Sequence, residues 1–506
     1  MLARTYSMTH VGAKPCSITI ETDMSAGLPG ISIVGLASKS IDEARERIRS
    51  AFRNSSLEFP PRKLVINLAP ADIAKHGTGL DLAMALGILQ ASGQIPKIPK
   101  NWCSVAELAL DGSLRPARDA HATLLSAAEQ GYKTILIDEL TPLNQLLTQG
   151  LTVFRVKNLR DIYLHLIKEQ ALQPYRASDD ESSLAPSPLN HYTDLEDIKG
   201  LESAKRALEI AAAGHHNLLL SGEPGIGKTL LAQAAIGIMP ALSRAELKET
   251  SYLQSLNSNT EIAAFTQQRP FRSPHHTTSD VAIIGGGQFP KPGEISLAHN
   301  GILFMDEFPE FSRSVLEALR QPLEDKQVSV SRAQGTMVFP AKIMLIAAMN
   351  PCPCGYAFSK GHNCLCSPGI VQRYQARISR PLLDRFDLIC EIRKPVYDDF
   401  FTTNTHSCES SDIIQKRVSS ARQRQHDRQG EPNAFTSSRK LMDARSMEDD
   451  ARQLLQRALK AQHINPRGAN RIIRVSRTIA DLEDKDVISL SHVAEAMQFK
   501  ESRQIT

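Results

Sequence analysis

The sequence predicts a multidomain α/β protein with an α/β amino-terminal domain, a phosphate-loop α/β core and a helical carboxy-terminal domain. Three observations predict this class. Strand-like apolar runs alternate with amphipathic helical runs along most of the chain. One glycine-rich turn, "GEPGIGKT", separates an apolar strand from a helix. The final stretch carries its apolar residues at helical spacing and contains no strand-like run. At 506 residues the chain exceeds what one ordinary hydrophobic core holds.

Taken in order, residues 1–170 alternate "ISIVGL", "KLVINLAP", "KTILIDE" and "LTVFRV" with "SIDEARERIRSAF", "LDLAMALGILQAS" and "DAHATLLSAAEQG". Residues 171–192 are polar, rich in Ser and Pro and without periodicity, as a linker is. A second βα pattern fills 193–395 and carries the glycine-rich turn. Residues 396–438 read as a polar, irregular connection. Residues 439–506 contain "DDARQLLQRALKAQ", "RGANRIIRVSRTIADLE" and "SHVAEAMQFKES", the helical domain. The net charge of +4 does not by itself mark a nucleic-acid binder. The absence of a run of about twenty apolar residues, or of a signal-peptide core, leads us to expect a cytoplasmic chain without a membrane partner. Eight cysteines are too few for a disulfide framework at this length.

The turn Gly222, Glu223, Pro224, Gly225, Ile226, Gly227, Lys228, Thr229 matches G-x-x-x-x-G-K-[ST] after an expected strand, Asn217–Ser221. Loop and helix N–H groups cradle phosphates in such a turn. Lys228 is placed for the β- and γ-phosphates, and the Thr229 hydroxyl for Mg²⁺. In "GILFMDEFPEF" an apolar strand delivers Asp306, suited to the Mg²⁺ shell, and Glu307, suited to polarising the attacking water. "KIMLIAAMN" ends in Asn350, whose amide suits that water or the γ-phosphate. In "SRPLLDRFD", Arg385 is a candidate for stabilising transition-state charge, an effect of about 10³–10⁵ in rate. So far along the fold, it would act on a neighbouring subunit's nucleotide, which requires a ring; a salt bridge to Asp384 or Asp387 is the competing reading. Arg467 and Arg471 share a helix face in "NPRGANRIIR". Arg467, at the helix start, is assigned the lid-side contact with the γ-phosphate, against the alternative of a solvated basic face.

In "CPCGYAFSKGHNCLC", Cys352, Cys354, Cys364 and Cys366 match a tetrahedral, structural Zn²⁺ site, with His362 as a substitute ligand. Reduced free thiols are the alternative, and disulfides do not suit the expected compartment.

This set of elements resembles the AAA+ ATPases, and more closely the magnesium-chelatase-like ComM/YifB family. The carriers are "NLAPAD", "LDLAMALGILQASG", "FRSPHHTTSDVAIIGGGQFPKPGEISLAHNGILFMDEFPEF", "NPCPCG" and "RPLLDRFDL". The resemblance spans nearly the whole chain. It implies a hexameric, ATP-driven DNA helicase or translocase that acts on single-stranded and branched DNA. Such a motor promotes branch migration of recombination intermediates in natural transformation. A chelatase-type ATPase remodelling a protein partner is the alternative. The resemblance also points to two hairpins for DNA. One, "LEDKQVSVSRAQG", carries Lys326 and Arg332; the other follows Gly285–Gly287 and carries Lys291. Cations there would bind phosphates without reading sequence, unless the hairpins serve oligomer contacts. His275 and His276 are read as structural.

"HGTGLDLAMALGIL" and "AELALDGSLRPARDAHATLLSAAEQGYKTILI" resemble the Lon-protease-like, S5-type α/β unit. A Lon-type dyad needs serine and lysine. Gly79 and His121 stand at those positions and Thr78 one place away, which implies no peptidase activity. The helix with Lys39, Arg45, Arg47, Arg49 and Arg53 reads as a solvated mixed-charge face.

Overall fold

The computed structural model describes residues 2–35, 39–73, 75, 77–176, 193–257, 268–287, 291–332, 335–357, 363–392, 409–441, 446–461 and 464–500. Most of the expected linker, the first part of the 396–438 connection and His362 lie outside these residues. The chain divides into two compact units, Met1–Ser187 with Arg244–Thr266, and Pro188–Ser243 with Gln267–Thr506. Among the described residues no helix is long and apolar enough to cross a membrane.

In the first unit, β1 (Leu2–Val11), β2 (Lys14–Ser25), β3 (Gly30–Val34) and β4 (Lys63–Ala69) form a four-stranded sheet in the order β1-β2-β4-β3. Only the β3–β4 pair is parallel. Ile18 and Ile20 of β2, with Leu64, Ile66 and Leu68 of β4, alternate into the core at the two-residue period of a strand. The helix Asp81–Ala91 has all eleven residues buried, so it is apolar on every side and lies at the centre of the unit. A second sheet is parallel, with β5 (Trp102–Val105), β8 (Thr134–Asp138) and β9 (Thr152–Val156) in that order; β6 (Glu107–Leu108) and β7 (Leu114–Arg115) pair separately.

Two expectations change here. Arg47 is not on a solvated face: its Nε and Nη2 donate to the two carboxylate oxygens of fully buried Asp81, at 2.7 and 3.1 Å. The helix Arg244–Asn257 falls within the stretch assigned to the core, yet it groups with the first unit. It packs on the helix Ala120–Ala127, with Lys248 bonded to Glu129 at 2.5 Å and Tyr252 edge-on to His10.

In the second unit, β10 (Leu218–Gly222), β11 (Phe271–Arg272), β14 (Ile302–Met305), β17 (Met344–Met349) and β18 (Leu388–Ile392) make a five-stranded parallel sheet, ordered β11-β14-β17-β10-β18. Every residue of β10, β14 and β17 is buried, as in parallel sheets covered on both faces. Two hairpins interrupt the pattern, β12 (Gly285–Gly286) with β13 (Lys291–Pro292), and β15 (Gln327–Arg332) with β16 (Gly335–Pro340). The helices Glu202–Gly214, Lys228–Ile238, Pro466–Leu482 and Leu490–Gln498 share one core with the sheet. The second half of the expected irregular connection is instead a 19-residue helix, Ser411–Gln429. Its buried Ile414, Val418, Ala421 and Gln425 recur every three or four residues, a stripe too thin to stand out in so polar a segment.

The Arg47–Asp81 pair carries a testable consequence. Burial raises the Asp81 carboxyl to about 6, against the opposing effect of Arg47. Arg47→Ala leaves a buried carboxylate without its cation and is expected to cost about 3 kcal/mol at pH 7.5. Below pH 6 the folded-state carboxyl is protonated, so the loss shrinks at pH 5. Urea unfolding followed by the fluorescence of Trp102, the single tryptophan, reads this unit alone.

Candidate nucleotide site and cysteine cluster

β10 ends at Gly222, and the loop after it turns through Gly225 and Gly227 at φ +74° and +96°, a region open to glycine. The helix beginning at Lys228 follows at once, so its unpaired N–H groups face the loop. Lys228 Nζ donates to the carbonyls of Gly222 (2.7 Å) and Glu223 (2.9 Å) and to Asn350 Oδ1 (2.9 Å). Burial lowers its ammonium to about 8. Thr229 Oγ1 donates to Asp306 Oδ2 at 2.8 Å, and the other Asp306 oxygen accepts from the Glu307 N–H at 2.8 Å. Glu307 is left-handed, at φ 49°, and its Oε2 lies 2.9 Å from His276 Nδ1. Thus β10, β14 and β17 deliver Lys228, Thr229, Asp306, Glu307 and Asn350 to one edge, the carboxyl edge where open α/β sheets bind ligands.

Sequence reasoning passed over the neighbouring "DIKGLESAK". Leu201, left-handed at φ 63°, approaches Gly227 to within 3.9 Å of where a Cβ would stand. A cavity of about 400 Å³ lies beside it, lined by Leu201, Glu202, Ser203, Cys390, Ile392 and Phe499. The available signal was a glycine followed by an apolar residue directly before the first helix of the unit.

Arg385 lies elsewhere. Asn217 precedes β10, and its side chain donates to the Arg385 carbonyl at 3.0 Å while accepting from Leu345 N at 3.0 Å. Arg385 is therefore at the amino end of β10, five residues or about 17 Å from Gly222. Its guanidinium is nine-tenths buried and pairs with Glu324, rather than with Asp384 or Asp387. Those two acids face Arg471 instead, at 3.8 and 3.9 Å. Arg467, expected over the γ-phosphate from the lid, also stands at this amino edge and not beside Lys228. A cavity of about 430 Å³ gathers Lys326, Arg385, Arg467, Arg471 and Arg474. Among the described residues, no hydrogen-bond acceptor meets the buried Arg385 Nε, Arg471 Nη1 or Arg474 Nε. Burial, followed by repulsion from Arg471, Arg467 and Arg320, lowers the Arg385 pKa. His216 fastens the edge: Nδ1 meets Asp387 Oδ2 at 3.3 Å and Nε2 meets Thr478 Oγ1 of the helix Pro466–Leu482 at 2.8 Å.

The hairpin cations fall in different places. Lys326 is at the foot of β15 and not along its length; its ammonium lies 4.2 Å over the Phe435 ring and 3.9 Å from Glu431. Its left-handed backbone closes the preceding helix, which turns the side chain toward the arginine cavity. Arg332 ends β15 opposite Gly335, and Lys291 in β13 pairs with Gly286.

Cys352, Cys354, Cys364 and Cys366 hold their sulfurs within 4.8 Å of one another. The Sγ separations of 3.3, 3.5 and 3.8 Å among the first three approach the edge of a tetrahedron with Zn–S bonds of about 2.3 Å. The Tyr356 N–H, ahead of the neighbouring thiols, holds Cys354 down to about 6, toward the thiolate form that binds a metal. The donor set fits zinc. Next to it Gly355, at φ +85°, lies against the phosphate loop: a Cβ there would stand 2.5 Å from Cγ and Cδ of Pro224.

Family models match along the chain. Residues 194–399 match magnesium chelatase, subunit ChlI; residues 20–140 match subunit ChlI of Mg-chelatase; residues 408–500 match the ChlI C-terminal model. Fold and site together define an AAA ATPase domain of the magnesium-chelatase type with a helical carboxy-terminal region. At full length, the uncharacterized protein YifB of Salmonella typhimurium is 41% identical over 500 residues, 99% of this chain and 97% of the relative. The competence protein ComM of Haemophilus influenzae is 40% identical over 501 residues, and the uncharacterized protein YifB of Escherichia coli 40% over 505, with the same coverage. The chain belongs to the ComM/YifB family.

The cluster and its contact with Pro224 give a paired prediction. Elemental analysis of the purified chain finds about one zinc per chain, and Cys354→Ser with Cys364→Ser removes most of it. Gly355→Ala, which pushes on Pro224, weakens binding of a fluorescent ATP analogue about tenfold, equivalent to about 1.4 kcal/mol.

Proposed function

We propose that this protein is a cytoplasmic, ATP-hydrolysing DNA motor. In this reading a hexameric ring translocates on single-stranded and branched DNA and drives branch migration of recombination intermediates in natural transformation. The observation that carries the ring is the separation of charges along β10. The phosphate loop occupies one end, and arginines with unsatisfied donors occupy the other, about 17 Å away. One chain does not bring both ends to one triphosphate, whereas neighbours in a head-to-tail ring do.

Each residue then has a task. The loop Gly222–Thr229 and Lys228 bind the phosphates of ATP, while Thr229 and Asp306 hold Mg²⁺, which supplies charge neutralisation when bound. Glu307 takes the proton of the attacking water and Asn350 orients that water. Arg385, with Arg467 beside it, reaches the neighbour's γ-phosphate, where a preorganised guanidinium stabilises developing charge. Structural zinc in the cysteine cluster holds Gly355 against Pro224. The hairpins ending in Arg332 and carrying Lys291 face DNA, a reading supported by the competence protein among the relatives.

The first unit is read as a Lon-protease-like, S5-type domain without a peptidase dyad. Gly79 stands against Asp119 and Ala117, His121 Nε2 lies 3.1 Å from the Pro142 carbonyl, and Thr78 is bonded to Glu107. The magnesium chelatase models favour one second reading, a chelatase-type ATPase that remodels a protein partner.

Three experiments test the proposal. Glu307→Gln retains ATP binding and loses about 100-fold or more in turnover. Arg385→Ala and Lys228→Ala are each inactive, and mixing them restores part of the ATPase because some interfaces then hold an intact half from each variant. Forked or four-way DNA stimulates hydrolysis and is unwound, and Arg332→Ala with Lys291→Ala lowers both. ATP turnover indifferent to every DNA form favours the protein-remodelling reading.

A further inference from the structure

Arg385 is already engaged within its own chain. Its Nη2 pairs with the Glu324 carboxylate, and its Nη1 donates to the Pro381 carbonyl at 3.1 Å. The guanidinium is nine-tenths buried and the carboxylate half exposed, so Glu324 is the partner with room to leave. Both line the cavity at the amino end of β10. A guanidinium fork committed to a carboxylate has fewer donors left for a phosphate, and a carboxylate beside an incoming γ-phosphate repels it. Glu324 therefore competes with the triphosphate that the proposed ring brings to Arg385.

A hairpin sets the position of Glu324. The residue lies on the helix Arg320–Asp325, which Lys326 closes in the left-handed conformation, at φ 59°, directly before β15. Gln321, on the same helix, bonds twice to Ser329 of β15. Its Nε2 donates to Ser329 Oγ at 3.0 Å, and its Oε1 accepts from the Ser329 N–H at 3.2 Å. The Ala341 N–H, just past β16, donates to the Lys326 carbonyl at 2.7 Å and closes the foot of the hairpin. Helix and hairpin thus form one braced corner, and a rotation of the hairpin carries Glu324 with it. Arg385 is anchored separately, its carbonyl held by Asn217 at the head of β10. Displacing the hairpin against the sheet therefore parts the two charges.

We propose that Glu324 is a positioning residue for Arg385. It keeps the guanidinium within its own chain until a single-stranded DNA backbone displaces the β15–β16 hairpin, and release presents Arg385 to the neighbouring chain's γ-phosphate. The inference rests on the reading of Arg385 as acting on a neighbour and of this hairpin as a DNA contact.

The test measures ATP turnover of full-length Glu324→Gln and Glu324→Ala with and without single-stranded oligothymidine. Both are expected to raise the DNA-independent kcat about threefold or more and to bring the ratio of stimulated to basal rates toward one, with KM for ATP unchanged. Mixed rings then locate the effect. Glu324→Gln is added to Lys228→Ala chains, which lend an arginine but do not turn over ATP, and these are mixed with Arg385→Ala chains. Basal turnover is expected to rise above that of the same mixture without Glu324→Gln, and not to rise when Glu324→Gln is placed in the Arg385→Ala chains instead. Wild-type ratios, equal losses with and without DNA, or a gain that follows the ATP-binding chain overturn the restraint. Arg385→Ala alone is measured in parallel. If it is inactive while Glu324→Gln keeps the wild-type ratio, the restraint alone falls; if it turns over like wild type, the reading of Arg385 falls too.

Discussion

The direction of one strand sets the chemistry of the second unit. In a parallel sheet every strand presents its carboxyl end at the same edge, so β10, β14 and β17 have no choice about where their trailing residues meet. That edge receives the phosphate loop, the acid pair and Asn350. The opposite edge receives whatever precedes the strands: Asn217 before β10, and Arg385 two residues before Asp387, which hydrogen-bonds Asn217 at the head of β18. The two ends of β10 therefore cannot share a ligand within one chain. An assembly that repeats head to tail satisfies both with no change of fold.

The amino edge is costly in isolation. Like charges crowd a cavity, and an unsatisfied buried donor costs about 1–3 kcal/mol. Glu324, Asp384 and Asp387 offset part of the repulsion, and His216 and Arg471 keep the Asp387 carboxyl below its usual range against the pull of burial. Even with these acids, three guanidinium nitrogens lack acceptors among the described residues. Local cost of this kind is a property of sites completed by a ligand or partner. An anion with several acceptor oxygens is the chemistry that the arrangement fits.

What the sequence made legible was local. The phosphate loop, the acids at the end of an apolar strand and the cysteine spacing each lie within a few residues, and the structure brings each set together. What it left hidden depends on register and on chain returning from afar. Arg47 meets Asp81 across 34 positions, and nothing in "ARERIRSAF" separates it from its solvated neighbours. Lys326 was placed on a projecting hairpin, since alternation predicts the strand but not the left-handed turn at its foot. The helix Ser411–Gln429 is polar on most of its surface, so its thin apolar stripe was outweighed. His276 was read as structural because histidine pairs have many ordinary uses; only the adjacency of β11 and β14 aligns it with Glu307.

The same adjacency argument ties the cysteine cluster to the phosphate loop. β17 lies directly beside β10, so the chain leaving β17 must pass the loop leaving β10. It touches that loop twice within six residues, through Asn350 to the Lys228 ammonium and through Gly355 against Pro224. Between these contacts stand Cys352 and Cys354. With the proposed zinc bound, the four thiolates would fix the backbone between them far more firmly than an open loop of that length is fixed. The two contacts would thereby be held at a constant spacing. In the proposed ATP site Lys228 would leave the Gly222 and Glu223 carbonyls to meet a phosphate, and an Asn350 held in place would give it one partner that stays while it does so.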